Sequence, residues 1–280
     1  EHGLETGRYH TAALEAAIDR LKAGDLDHAA RLRHVGTVQS ENQRALLPFA
    51  LDVAIGRVSP TAIDRTWRSR RARPDVPESL HQSAQGLEQW IAGLQPSHPE
   101  YVALQRALRD LRLQQQQGAW PKVPARPFKP GASDPAVTIL RERLAASGEL
   151  ISTTGVADAT IYDEQIYAAV KTFQEHHALK ATGLVDQATL AAINVPIGER
   201  IRQLEINLER WRWMPDDFGA RHFLVNIPAF LLMARENGTT VRAIRVIVGK
   251  AGHETPIFSG DMKAVVFSPY WNVPDSIAEE

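Results

Sequence analysis

The hydrophobic period of the chain changes near residue 220, and this change constrains the fold more than any other feature. Before it, apolar residues recur every three or four positions, which is the spacing of one helix face. After it, residues 222–227 alternate between apolar and polar, and Asn237-Gly238 between two β-rich runs predicts a type I′ hairpin. Residues 265–267 predict a further strand. The predicted fold class is therefore α+β, with the helices first and the strands last.

The first 118 residues predict helices joined by short turns, which we interpret as a helical scaffold. A helix over residues 44–55 is expected to end at Gly56, because glycine commonly follows the last helical residue. Ser97 and Glu100 have the spacing of a capping box ahead of a further helix. None of these patterns places a reactive group, so the scaffold is predicted to carry no chemistry.

Prolines recur every third residue from Pro121 to Pro130, which is the period of a polyproline II helix. Such a segment suits either a ligand for a proline-recognising domain or a stiff spacer between two domains. We predict the spacer and assign residues 119–133 as a proline-rich linker.

Residues 134–194 predict a small domain of three short helices. Asp163 and Asp186 are placed as N-caps, while Gly148 and Gly183 close a helix and make a turn. A bundle of about 60 residues is near the lower limit for independent stability. Residues 195–221 then predict a connecting helix that leads into the β-rich part, residues 222–280.

Composition excludes several classes of function. The formal net charge of −1 gives no electrostatic reason to expect a nucleic-acid partner. The 280 residues include no cysteine, which excludes disulfides, thiolate metal sites and a cysteine nucleophile within them. No cofactor is predicted. No apolar run approaches the roughly 20 residues that span a bilayer, and no signal segment follows Glu1. We expect any export signal or anchor to precede this chain.

Three groups of side chains suggest sites but have alternative interpretations. The aromatic and basic run over residues 210–213 suits an interfacial membrane anchor, although its place on an apolar stripe favours packing. His176-His177 suggests a metal, but no third ligand stands at a suitable spacing, which favours a surface pair. Tyr270, Trp271 and Asn272 follow the predicted strands and are our candidate substrate-binding residues. A tryptophan between prolines is equally consistent with a packing plug, and both interpretations stay open here.

Two stretches resemble known families. The run LRERL over residues 140–144, Gly148, the run AVKTFQ over residues 169–174 and Gly183 together resemble the peptidoglycan-binding three-helix domain of cell-wall enzymes. The second stretch resembles the entry into the catalytic β-domain of large periplasmic L,D-transpeptidases. It comprises RQLEINLERWRWMP (residues 202–215), VNIPAF (225–230), RVIVGK (245–250) and SPYWNVP (268–274). In that family a helical scaffold and a peptidoglycan-binding domain also precede the catalytic domain.

The resemblance implies an acyltransferase of cell-wall organisation that works in the periplasm or cell envelope. In the family, a cysteine thiolate forms a thioester with one peptide stem, and the amine of a neighbouring stem completes the cross-link. Because this chain has no cysteine, no catalytic residue carries over, and we expect the nucleophile to lie beyond residue 280. The implied partner is peptidoglycan, through its stem peptides and glycan, and membrane contact is expected only through an anchor ahead of Glu1.

Two other functions remain as alternatives. A non-catalytic peptidoglycan-binding or scaffolding protein could keep the same domains without the chemistry. A zinc-dependent wall peptidase is disfavoured, because the β-rich part lacks the expected histidine and carboxylate ligands. We also expect residues 222–280 to be incomplete as a domain, with an exposed apolar face or an open strand edge.

Overall fold

The computed structural model describes residues 2–9, 11–23, 26–69, 71–72, 74–79, 86–126, 128–150, 158–250, 252–270 and 273. A short 3-10 helix, Thr6–Tyr9, comes first. The α-helices are α1 Thr11–Lys22, α2 His28–Ile55, α3 Pro60–Ile63, α4 Val76–Ser79, α5 Leu87–Leu94, α6 Pro99–Gln117, α7 Ala136–Ala146, α8 Glu164–His176, α9 Gln187–Ile193 and α10 Ile197–Trp211. The strands are β1 Arg221–Asn226, β2 Leu231–Glu236 and β3 Thr239–Arg245. The α+β class, with helices before strands, is confirmed.

Helix α2 is longer than its hydrophobic pattern predicted. It begins after Asp27, whose carboxylate accepts a hydrogen bond from the Ala30 N–H at 2.7 Å, and it ends at Gly56 as expected. The sequence pattern detected only its second half, because that half packs into the scaffold core while the first half is largely exposed. The buried residues of this core are Leu4, Tyr9, Ala50, Val53, Ala54, Val76, Trp90, Ile91 and Leu94.

The predicted capping box at the start of α6 is wrong. The N-cap is His98, not Ser97, and its imidazole Nδ1 accepts the Glu100 N–H at 3.2 Å. Pro99 occupies the first helical position, where a missing N–H costs nothing because that group has no partner inside the helix. Glu100 therefore stands one position earlier in the helix than the capping box requires.

Helices α6 and α10 pack along one apolar seam. Tyr101, Leu108 and Leu208 are fully buried in it, and Leu104, Leu111 and Leu204 pack against them. An ion pair of 2.6 Å between Arg112 and Glu205 joins the two helices beside the seam. Burying a leucine-sized side chain contributes about 1.5–3 kcal/mol, so this row of residues stabilises the pair substantially.

Helices α7, α8 and α9 enclose a separate core, which we call the three-helix core. Leu140, Leu144, Ile166, Phe173 and Ile193 are fully buried in it. Asp163 and Asp186 cap α8 and α9 as predicted, each accepting a backbone N–H three residues later. The linker assignment for residues 119–133 stays a prediction, but Val123 and Phe128 within that range are buried in this core.

The three strands form one antiparallel sheet in the order β1-β2-β3. Asn237 and Gly238 join β2 to β3 with φ values of 48° and 79°, and positive φ at both positions is what a type I′ turn requires. The hairpin prediction is therefore confirmed. The strand predicted at residues 265–267 is wrong: these residues form no regular element and pair with no strand in the described structure. A β-rich sequence forms a strand only where a neighbouring strand accepts its hydrogen bonds.

One face of the sheet is apolar and open to solvent. The register places Phe223, Val225, Leu232 and Ile244 on this face, and Phe223 is 56% exposed. Strand β3 is exposed along its whole length, and the described residues supply no further strand beside it. The predicted exposed face and open strand edge are thus confirmed.

Candidate functional site

The proposed substrate-binding residues are not assembled by the described structure. The Tyr270 side chain is 98% exposed, and Trp271 and Asn272 lie outside the described residues. Their role therefore stays a prediction. Among the residues that the structure does describe, no group of three His, Asp or Glu side chains could hold a metal ion.

The other two candidate groups, His176-His177 and the run at residues 210–213, contact other parts of the protein. His176 is on the surface and its Nδ1 lies 3.6 Å from a Glu149 carboxylate oxygen, whereas His177 is half-buried and stacks on Phe173 at 3.9 Å between ring centroids. Trp213 is 8% exposed and meets Trp67 edge to face at 5.2 Å. The prediction that the aromatic run at residues 210–213 packs against the rest of the protein is therefore confirmed.

A glutamine organises the turn between α8 and α9. Gln174 is fully buried, and its amide oxygen accepts the Gly183 N–H at 2.9 Å. Its amide nitrogen donates to the Leu184 carbonyl at 2.8 Å and to the Thr189 hydroxyl at 2.9 Å. The final glutamine of the AVKTFQ run thus satisfies polar groups of the turn, including the buried Gly183 N–H.

Gly183 is required at this turn for two reasons. Its φ of +69° is in the left-handed region, and a Cβ atom would collide with the Tyr167 ring. Its carbonyl also accepts the Tyr162 hydroxyl at 2.7 Å, and burial raises the pKa of that phenol. The Tyr167 ring beside the Gly183 Cα and the Tyr162 hydroxyl on the Gly183 carbonyl therefore both hold the turn in place.

Two buried arginines on α7 were not recognised as important from the sequence. Arg141 donates to the Asp163 carboxylate at 2.8 Å, and Arg143 donates to the Ile193 carbonyl at 2.9 Å. The Arg143 guanidinium also lies 3.8 Å from the Trp120 ring centroid, which is a cation–π contact. Burial lowers the pKa of Arg143 to about 10, while the nearby Glu149 carboxylate opposes that shift. The LRERL run could have indicated their burial, because both arginines lie between leucines of the core.

The inner face of the sheet rests on the first turn of α6. Arg235 of β2 forms a close ion pair with Glu100, and its cross-strand neighbour is His222. The His98 ring stacks on Trp211 at 4.3 Å and meets Phe218 edge to face at 5.4 Å. This contact set, which we call the α6–sheet joint, connects the scaffold to the strands.

A second contact set connects the scaffold to the chain on either side of the sheet. Arg71 donates from Nε to both Asp216 carboxylate oxygens at 2.7 Å. The Arg68 N–H donates to the Ile257 carbonyl at 2.7 Å, and the Ser69 and Ser259 hydroxyls are 2.8 Å apart. The segment after β3 is thereby held against the scaffold without forming a strand.

Three family models match the chain, in sequence order. The model described as "Scaffold domain" matches residues 1–108, and the "Putative peptidoglycan binding domain" matches residues 133–193. The "L,D-transpeptidase catalytic domain" matches residues 220–280, which contain the whole sheet. Residues 220–280 are thus similar to the L,D-transpeptidase catalytic domain.

A curated relative bears the same family name. A Haemophilus influenzae protein named "Putative L,D-transpeptidase" is 33% identical over 79 residues. The alignment covers 28% of this chain and 16% of the relative. None of the helices in the described ranges has both the length and the apolar character needed to cross a bilayer.

The α6–sheet joint predicts a pH-dependent contact. Burial lowers the pKa of His98, the Glu100 carboxylate opposes this shift, and the Arg235 guanidinium lowers the pKa further. Protonation of His98 at Nδ1 would also break the hydrogen bond that this atom accepts from the Glu100 N–H. Because the unfolded chain binds this proton more readily, stability is expected to fall as the pH drops from about 6.5 toward the lower pKa of the folded state.

The measurement is the amide chemical shift of Glu100 between pH 7 and pH 4, by NMR. We expect an inflection below the ordinary histidine pKa, and we expect His98→Asn to remove it, since asparagine caps the helix without titrating. His253→Asn, at an exposed position, is the control and should leave the inflection unchanged. An inflection that survives His98→Asn would contradict this assignment.

Proposed function

We propose that the protein containing this chain is a peptidoglycan L,D-transpeptidase that cross-links peptide stems through a cysteine thioester. The observation that carries the proposal is the catalytic-domain match over residues 220–280, behind a scaffold and a peptidoglycan-binding domain. The open apolar face of the sheet supports it, because a small sheet is stable only when more of its domain covers that face.

The proposed reaction has two acyl transfers. A cysteine thiolate adds to a stem carbonyl beside the L-centre of a diamino acid, and the bond to the terminal D-alanine breaks as its nitrogen takes up a proton. The side-chain amine of a neighbouring stem then attacks the thioester, which forms the new amide and releases the thiolate. This chain has no cysteine, so the nucleophile would come from residues outside these 280.

The contribution of this chain would be binding and support. We propose that the three-helix domain binds peptidoglycan, and that Tyr270, Trp271 and Asn272 contact the stem where the sheet region ends. We also propose a periplasmic location, with an export signal or anchor encoded ahead of Glu1. A gene that starts directly before Glu1 would remove the periplasmic assignment.

The test is a cross-linking assay with the full gene product and soluble disaccharide-tetrapeptides. We expect mass spectrometry to detect a dimer linked from the L-centre carbonyl to the side-chain amine, with one D-alanine released for each cross-link formed. Alkylation of the thiol should abolish both products, and the 280-residue chain alone should form neither. A full protein that forms no dimer and releases no D-alanine would contradict the proposal.

A non-catalytic wall-binding protein is the second candidate. The observation that favours it is the three-helix core, which is buried within a stretch of the chain that contains no cysteine. Under this candidate the chain should sediment with insoluble peptidoglycan while the full protein shows no transferase activity. If the chain does not sediment although its helical spectrum is that of a folded protein, the binding role fails for both candidates.

A further inference from the structure

The α6–α10 pair connects two regions that belong to different matched domains. The two helices are antiparallel, because His98 before α6 stacks on Trp211 at the end of α10. At the opposite end, Gln115 of α6 lies beside Gly198 of α10. The seam between the helices is apolar and continuous, as Tyr101, Leu108 and Leu208 show by their full burial. The pair is therefore one stiff body.

One end of this body holds the sheet. The α6–sheet joint combines a charge pair, Glu100 with Arg235, and an aromatic stack around His98. The Arg235 side chain is only 15% exposed, so solvent screens this pair less than an open surface pair.

The other end holds the three-helix domain through four separate contacts. The Val123 backbone and the Asn194 side chain exchange two hydrogen bonds of 2.9 Å. Trp120 stacks on the buried Arg143 guanidinium, and Arg200 of α10 donates to the Ala192 carbonyl at 3.1 Å. We call these contacts the α10–bundle joint. Trp120 and Val123 lie in or beside the predicted linker, so this segment is bound and not free.

We propose that the α6–α10 pair is a strut that fixes the distance between the peptidoglycan-binding domain and the catalytic sheet. Helix α6 has 19 residues, and at 1.5 Å per residue its length is about 28 Å. A wall strand held by the three-helix domain would then present stems to the catalytic domain at a set distance along the polymer. This role in presenting stems rests on the proposed function, but the fixed distance between the two domains does not.

The alternative is a flexibly tethered binding domain, which is the usual expectation for domains joined by a linker. A flexible tether would let the domain search a volume of wall around the enzyme. The contacts of the α10–bundle joint oppose that motion. Moving the domain away would expose Trp120 and break the two hydrogen bonds between Asn194 and the Val123 backbone. The two arrangements therefore predict different distributions of distance.

The experiment measures that distribution by pulsed electron spin resonance on the 280-residue chain. Since the chain has no cysteine, Ala168→Cys on α8 and Thr239→Cys on β3 can be labelled without other changes, and both positions are exposed. We expect one narrow distance distribution. In the same labelled chain, Trp120→Ala with Asn194→Ala should broaden it about two-fold or more, because domains without a firm interface move independently.

A label pair inside the three-helix domain, Ala168→Cys with Ala191→Cys, controls for folding. Its distribution should stay narrow in the joint variant, which would show that the domain is intact and only its attachment has changed. A broad distribution before the joint is altered, or an unchanged distribution after it, would overturn the strut. Because the measurement needs neither peptidoglycan nor a thiol, its result is independent of the cross-linking and sedimentation tests.

Discussion

Replacing Gln174 with leucine is expected to lower the free energy of unfolding of the three-helix domain by about 3 kcal/mol. Leucine fits the space but offers no polar atoms, so the Gly183 N–H and the Leu184 carbonyl lose their described partner inside the protein. Each buried polar group left without a partner costs about 1–3 kcal/mol. The Thr182 and Thr189 hydroxyls lose only a donor, the Gln174 amide, and keep their own O–H groups to donate, so they add little.

Hydrogen exchange of the α8 amides in the whole chain is the suitable measurement, because a chain of several domains does not unfold in one step. Gln165→Leu is the matched control, since it makes the same change on an exposed position of the same helix. We expect the control to change α8 protection by less than about 0.5 kcal/mol. Equal effects of the two substitutions would show that the buried amide does not stabilise the turn.

Replacing Arg71 with methionine is expected to cost about 3 kcal/mol in the scaffold. The Arg71 side chain is 6% exposed and serves three acceptors: the Asp216 carboxylate and the Ala54 and Leu94 carbonyls. Methionine keeps much of the apolar stem but leaves these acceptors unpaired. The loss is at the low end for a buried pair, because Asp216 is 38% exposed and water can solvate it.

The loss should appear as faster hydrogen exchange at α5 and at the C-terminal turn of α2, where the two carbonyls lie. Arg68→Met is the control, because Arg68 carries the same charge three residues away on an exposed position. Asp216→Asn should cost less than Arg71→Met, since the amide oxygen still accepts one hydrogen bond. A loss for Arg68→Met as large as that for Arg71→Met would contradict the role assigned to the buried guanidinium.

The features predicted correctly from the sequence depend on contacts close in the chain. The caps at Asp163 and Asp186 need only an N–H three residues later, and the turn at Asn237-Gly238 needs only two residues that tolerate positive φ. The strand at residues 265–267 failed because β structure depends on a partner strand, which a local pattern does not contain. His98 was missed as a cap because imidazole is not among the usual capping side chains.

The contacts that join the regions could not be predicted in this way. Arg71 and Asp216 are 145 residues apart, and Arg235 and Glu100 are 135 apart. Arg71 lies in an arginine-rich stretch that resembles any solvated loop, so no spacing distinguishes it from its neighbours. The family resemblance identified the matched domains, but it assigned no residue to the joints between them. The candidate substrate-binding residues Tyr270, Trp271 and Asn272 remain a prediction from the resemblance and from their place after the strands.

The open apolar face of the sheet has a consequence for how the protein is made. The helices depend mostly on contacts between neighbouring residues and can form early, whereas the strands wait for distant partners. The first turn of α6 would therefore form before β2, and Glu100 would be in place to pair with Arg235 when that strand forms. Until the face of Phe223 and Val225 is covered, the newly made chain is open to self-association through these exposed apolar side chains.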